Sequence, residues 1–112
     1  MFVRTKEGKI LKCFKSESMN LPIYYVIGSK TNSYVEYQDV KKVSKNIIDI
    51  LEVGDYVNGK QVTKINLDYI FDYSEEIKII YFSDNDYIYS KTDIKSIVTK
   101  EQFESMSYKI GE

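Results

Sequence analysis

Val53-Gly54-Asp55-Tyr56-Val57, Asn58-Gly59 and Lys60-Gln61-Val62-Thr63-Lys64-Ile65, read in one piece, decide the fold of this chain. Two runs with β-branched and aromatic residues flank an Asn-Gly pair. Asn and Gly suit the two positive-φ sites of a type I′ turn, whose twist matches that of the strands it joins. A two-residue turn also fixes the register. Val57 falls opposite Lys60 and Asp55 opposite Val62, and Tyr56 shares a face with Gln61 and Thr63. Neither face is wholly apolar, which predicts a sheet packed on one side and partly wet on the other.

Toward the N-terminus, Phe2–Thr5 and Lys9–Phe14 flank Lys6-Glu7-Gly8 and read as a first hairpin. Ser16–Asn20 is polar and reads as a loop. Leu21–Ile27 is a strand with Pro22 near its start, where a missing donor does least harm. Gly28-Ser29-Lys30-Thr31-Asn32 turns the chain, and Ser33–Tyr37 returns as a fourth strand. Beyond Val40, the apolar positions Val43, Ile47, Ile48 and Leu51 fit a helical stripe. They predict a short helix over about Lys45–Leu51, capped by Ser44 and ended by Gly54.

Toward the C-terminus, Asn66–Tyr73 extends the strand and Ser74-Glu75-Glu76 turns it. Ile77–Phe82 and Tyr87–Ser90 form a hairpin around Ser83-Asp84-Asn85-Asp86, and Asp93–Val98 reads as one more strand. Thr99-Lys100-Glu101-Gln102 has the form of a capping box, which predicts a terminal helix docking Phe103 and Met106 on the sheet. No internal repeat or linker stands out. The expected fold is α+β and mainly β, a single domain over residues 1–112. It would be a bent antiparallel sheet or small open barrel with one short central helix and a short C-terminal helix.

Composition agrees with this and narrows the chemistry. Ile, Val, Thr and the aromatics supply 45 of the 112 residues, and Ala is missing. An AT-rich coding bias produces part of the same pattern, so the β reading rests on alternation and turns. There is no His and a single Cys, Cys13. Imidazole general bases, Ser-His and Cys-His nucleophile pairs and His-containing zinc sites are therefore absent. One Cys forms no intrachain disulfide and fits a reducing interior. Sixteen basic and seventeen acidic residues are well mixed, with a net charge of −1, so binding to DNA dominated by counterion release is not expected. Met1-Phe2-Val3-Arg4-Thr5 is not a signal peptide, and no apolar run approaches membrane-spanning length. The expectation is a cytoplasmic, non-enzymatic protein without a cofactor or metal.

Three groups of residues remain as candidates. Asp84-Asn85-Asp86 clusters oxygen ligands, but a calcium loop counted from Asp84 would need Gly at its sixth position and Glu at its twelfth. Those positions are Tyr89 and Lys95, and Asp and Asn are in any case good turn residues. Asp49, Glu52 and Asp55 read as surface carboxylates, and Cys13 as a buried thiol with no base to activate it. The eleven tyrosines are interleaved with lysines. On a sheet they serve packing, a protein interface or the stacking of single-stranded bases. Tyr87 and Tyr89 share one face. With Asp84, Asp86 and Tyr56 they are the expected binding residues.

The opening Phe2-Val3-Arg4-Thr5-Lys6-Glu7-Gly8-Lys9-Ile10, the Val53–Gly59 hairpin and the tail Asp93–Glu104 resemble small uncharacterised proteins encoded by phages and prophages of low-GC Gram-positive bacteria such as clostridia. Those commonly begin with an RT-x-x-G-x-I strand and end in an I-x-S-I-[VL]-T-K-E-Q-F segment. The resemblance spans roughly the first ten residues, Lys42–Ile65 and Asp93–Gly111, and carries no catalytic group. It implies a mobile-element accessory protein that binds a host or phage protein stoichiometrically, blocking an antiviral defence complex being one common version. Two alternatives stand beside it: a nucleic-acid or nucleotide binder using Tyr and Lys on a barrel face, whose lysines would cluster on one side, and an assembly protein forming a homo-oligomer through an edge strand.

Overall fold

The Asn-Gly turn forms as its residue types dictate. Asn58 and Gly59 have φ of 53° and 80°, Val57 faces Lys60, and the Val62 amide donates to the Asp55 carbonyl at 2.7 Å. The computed structural model describes residues 1–18, 21–28, 33–69 and 76–106. They build two antiparallel sheets of five strands each and one α-helix, so the chain is mainly β within an α+β plan.

Two compact units divide the chain, Met1–Ile50 and Leu51–Glu112. The first holds β1 (Phe2–Thr5), β2 (Ile10–Ser18), β3 (Leu21–Val26), β4 (Tyr34–Glu36) and β5 (Val40–Ser44), in sheet order β4-β3-β2-β1-β5. Its core is Val3, Cys13, Tyr24 and Val35, one residue from each of the first four strands, with Leu11, Val26 and Val40 packed against them. Val35 is buried between exposed Tyr34 and Glu36, the period-2 alternation of a one-sided strand. Arg4 is buried in this unit and its guanidinium donates to the Ile50 carbonyl at 3.0 Å.

The second unit holds β6 (Tyr56–Val57), β7 (Lys60–Tyr69), β8 (Glu76–Phe82), β9 (Tyr87–Ile88), β10 (Ile97–Val98) and α1 (Lys100–Met106), in sheet order β10-β6-β7-β8-β9. Val57, Val62, Ile80 and Phe82 are buried. The capping box closes in both directions. The Gln102 amide donates to Thr99 Oγ1 at 3.2 Å, and the Thr99 amide donates to Gln102 Oε1 at 3.1 Å. Asp55, fully buried, accepts the Lys100 amide on one carboxylate oxygen and the Glu52 amide on the other. Phe103 stacks on Tyr56, whereas Met106 is exposed.

The units share one connectivity. In each, four strands run as a meander, a three-residue 3₁₀ turn follows (Tyr37–Asp39, Lys91–Asp93), and the fifth strand returns beside the first. The second strand is divided in the same way in both. Its start pairs with the first strand (Arg4↔Ile10, Val57↔Lys60) and its remainder pairs with the third. The carbonyl of the last 3₁₀ residue accepts a bond from the first turn in each unit: Asp39 from the Lys6 amide, Asp93 from Asn58 Nδ2. Faint sequence traces accompany this: Gly8-Lys9 with Gly59-Lys60, Tyr34-Val35 with Tyr87-Ile88, Asp39-Val40-Lys41 with Asp93-Ile94-Lys95. The expectation of no repeat is corrected accordingly. Loops of unequal length separate these short matches and hide them from a linear reading.

Several local expectations change as well. The central helix is a single 3₁₀ turn at Ile47–Ile50, capped by Asn46, whose Oδ1 accepts the Ile48 amide, with Ser44 bonded instead to Asp49. Val40–Ser44 is strand, because β1 requires a partner along its outer edge and Val43 lies opposite Val3. The polar segment from Ser16 extends β2 to Ser18 rather than looping. Asp93–Val98 contributes only Ile97–Val98 to a strand. Parts of the expected loop (19–20), of the turn that follows β3 (29–32), and of the strand and turn that follow Tyr69 (70–75) lie outside the described residues. Among the described residues, no helix is long and apolar enough to cross a membrane.

Candidate functional site: exposed aromatic rows

The Asp84-Asn85-Asp86 turn is organised around Lys60. Its ammonium lies 2.7 Å from Asp84 and 3.0 Å from Asp86. The second oxygen of Asp86 accepts the Tyr87 amide, and Asp84 accepts the Asp86 amide. Asn85, with φ of 69°, takes the left-handed site of the turn. Bonding to Lys60 holds both carboxyls below the usual aspartate range, and the two aspartates, Asp84 foremost, raise the lysine. These carboxylates are occupied in shaping the turn that leads into β9.

Tyr87 and Tyr89 project into solvent, each more than half exposed. Tyr56 does not join them, since its ring lies 4.5 Å from Phe103 and serves the packing of α1. The neighbour that Tyr87 does have is Tyr81, its cross-strand partner on β8, with ring centroids 6.0 Å apart. Tyr81 in turn lies opposite Lys64 on β7, whose ammonium sits 5.7 Å from the Tyr81 ring centroid. A register shift between Val62 and Lys64 puts Lys64 there. Without that bulge the two residues would share a face, yet Val62 is buried and Lys64 is exposed. Lys64, Tyr81 and Tyr87 thus form one row across β7, β8 and β9.

The corresponding strands of the first unit carry a row in the same place. Phe14 on β2 lies opposite Tyr25 on β3, and Tyr25 lies opposite Tyr34 on β4. Phe14 and Tyr25 stack with centroids 5.3 Å apart, and Tyr34 follows at 6.4 Å, tilted. Phe14 is 55 % and Tyr34 56 % exposed, against 54 % for Tyr87. Cys13, next to Phe14 in sequence, points the other way into the core, and burial raises its thiol pKa.

Of the expected binding residues, Tyr87 lies in a row, Tyr89 is exposed outside it, Asp84 and Asp86 shape the turn, and Tyr56 packs on α1. The sequence alone does not single out Tyr81, Lys64 or any of the first row. The available signal was the alternation of Cys13-Phe14 and Tyr24-Tyr25 about a shared register. Neither residue type nor local spacing conveys that register.

No family model matches the chain, and neither a curated protein nor a solved structure shows significant similarity to it.

Proposed function

We propose that this chain is a non-enzymatic accessory protein of a phage or prophage of low-GC Gram-positive bacteria, acting in the bacterial cytoplasm by binding a host or phage protein stoichiometrically. A component of an antiviral defence system is the target class that the resemblance of its ends implies. The observation that carries the reading is the recurrence of a cross-strand tyrosine pair on strands three and four of both units, Tyr25 with Tyr34 and Tyr81 with Tyr87. The strand-four ring is exposed in each, and Phe14 or Lys64 stands beside the pair on strand two. Apolar ring area held outward costs solvation and contributes nothing to a core. Tyrosine supplies large contact area with little side-chain entropy to lose, and suits protein interfaces for that reason. Coding bias raises the number of tyrosines, but it does not place two of them at matching exposed positions in separate units.

The test is capture by the tagged protein from nuclease-treated lysate of such a host, set beside the variant Tyr34→Ala/Tyr87→Ala. The reading expects one protein retained at constant stoichiometry by wild type and lost by the variant.

A further inference from the structure

The second unit has a sheet edge that its own strands leave open. β6 pairs with β7 only at Lys60 and Gln61, and the last backbone bonds from that side meet Val62. From Thr63 to Tyr69, β7 has β8 on one flank and, among the described residues, no strand on the other. Outward N–H and C=O groups along such an edge are a template for a further strand. Other described edges suit this less. β4, β9 and β10 have two or three residues, and β2 and β8 run open over shorter lengths. β5 paired with its own copy about its middle residue would set Lys42 against Lys42, a usual guard on an edge.

The side chains of β7 have the opposite effect. Lys64-Ile65-Asn66-Leu67-Asp68, laid antiparallel on itself about Asn66, sets Lys64 opposite Asp68 and Ile65 opposite Leu67. Asn66 meets Asn66, and an amide both donates and accepts. Pairs of unlike charge and pairs of apolar side chains are those that stabilise neighbouring strands. Leu67 is 58 % exposed, and this register covers it with Ile65 of the second strand. Lys64 and Asp68 are exposed as well, so both charges reach the boundary. Asp68 also interacts within its own chain, which a carboxylate with several acceptor sites permits. From Lys64 onward the pairing with β8 is regular, so the bulge lies before this stretch and does not interrupt it.

We infer that two copies of this chain join through β7, antiparallel and two-fold about Asn66, into one sheet continuous across both second units. Side chains directly opposite in such a pair point to the same face, so the Lys64, Tyr81 and Tyr87 rows of both copies share a face. The boundary is one strand long, below the roughly 1,200 Å² of a standard interface, and the dimer is accordingly weak and concentration-dependent. The inference does not rest on the protein partner proposed above.

The experiment is sedimentation velocity of the full chain from about 10 μM to about 1 mM, the range that a small interface populates. Wild type should pass from monomer to dimer. Lys64→Glu puts a second carboxylate opposite Asp68, and Asp68→Lys a second ammonium opposite Lys64. Each change enters the dimer twice and should weaken self-association at least about tenfold. Mixed in equal amounts, the two variants oppose unlike charges again and should form a heterodimer within about threefold of wild-type affinity. Oxidation of Asn66→Cys should yield a covalent dimer, whereas Thr63→Cys, about 20 Å from its copy in this register, should stay uncoupled. Cys13 is buried and common to both. A wild-type chain that stays monomeric throughout overturns the inference, as do variants with the wild-type urea midpoint that fail to restore each other. Equal cross-linking at both positions overturns the register. Species growing beyond the dimer would mean open-ended pairing through a second edge and overturn the two-fold.

Discussion

Asp55 shows how much a single side chain carries here. Its residue type reads as one surface carboxylate among several, yet it is fully buried, with one oxygen on the Glu52 amide and the other on the Lys100 amide. It therefore closes the turn before β6 and also holds the first residue of α1. Asp55→Ala leaves two N–H donors without these acceptors, and the expected loss is about 3 kcal/mol, read as a lower urea midpoint at unchanged slope. Asp55→Asn keeps one acceptor oxygen and should lose less. At Lys60 the observable is pH. Asp84 and Asp86 titrate below the ordinary 3.8 and Lys60 above 10.5 because each stabilises the other's charge. The carboxylate contribution is complete above the unfolded aspartate pKa and is lost as pH falls through the depressed folded values. The lysine contribution is complete below its unfolded pKa and is lost as pH rises through the raised one. The turn should stay closed across the neutral range, with carboxyl ¹³C shifts placing both titrations below 3.8; midpoints at or above that value would refute the clamp.

At the scale of elements, the Asn-Gly hairpin and the capping box were legible, because each is a local motif whose chemistry is complete within four residues. Gly59 at φ of 80° has open space where a Cβ would go, so the cost of a side chain there is conformational alone. Gly59→Val should lose about 1–2 kcal/mol in denaturant unfolding, and a midpoint equal to wild type would contradict the type I′ turn. What lay beyond local reading was the second use of Asn58. Its side chain accepts the Lys95 and Ser96 amides and donates to the Asp93 carbonyl, tying the hairpin to the approach of β10. That partner is some 35 residues away and leaves no mark on the motif. The central segment misled for a related reason. Val43, Ile47 and Ile48 have helical spacing, but the strand at Val40–Ser44 answers the need of β1 for a partner, a tertiary demand that outweighs periodicity. The aromatic rows were only half legible. Tyr87 and Tyr89 announce themselves by alternation, whereas Lys64 reaches the face of Tyr81 through a bulge that shifts the register.

For the whole molecule, composition and alternation sufficed for a mainly β chain with a terminal helix. Its division into two units of one connectivity did not emerge, because the shared positions are few and the turns between them differ in length. That division gives the functional account its weight. A single cross-strand tyrosine pair is unremarkable on a tyrosine-rich chain, but the pair recurs at the same place in both units with its strand-four member exposed, and the proposed use is common to both. The most direct measurement is partner capture by wild type, by Tyr34→Ala, by Tyr87→Ala and by the double variant, each first shown by circular dichroism and urea midpoint to keep the wild-type fold. Each single substitution should lower the captured protein at least severalfold, and the double variant should abolish capture. Undiminished capture by the correctly folded double variant would contradict the claim that the aromatic rows are the binding surface.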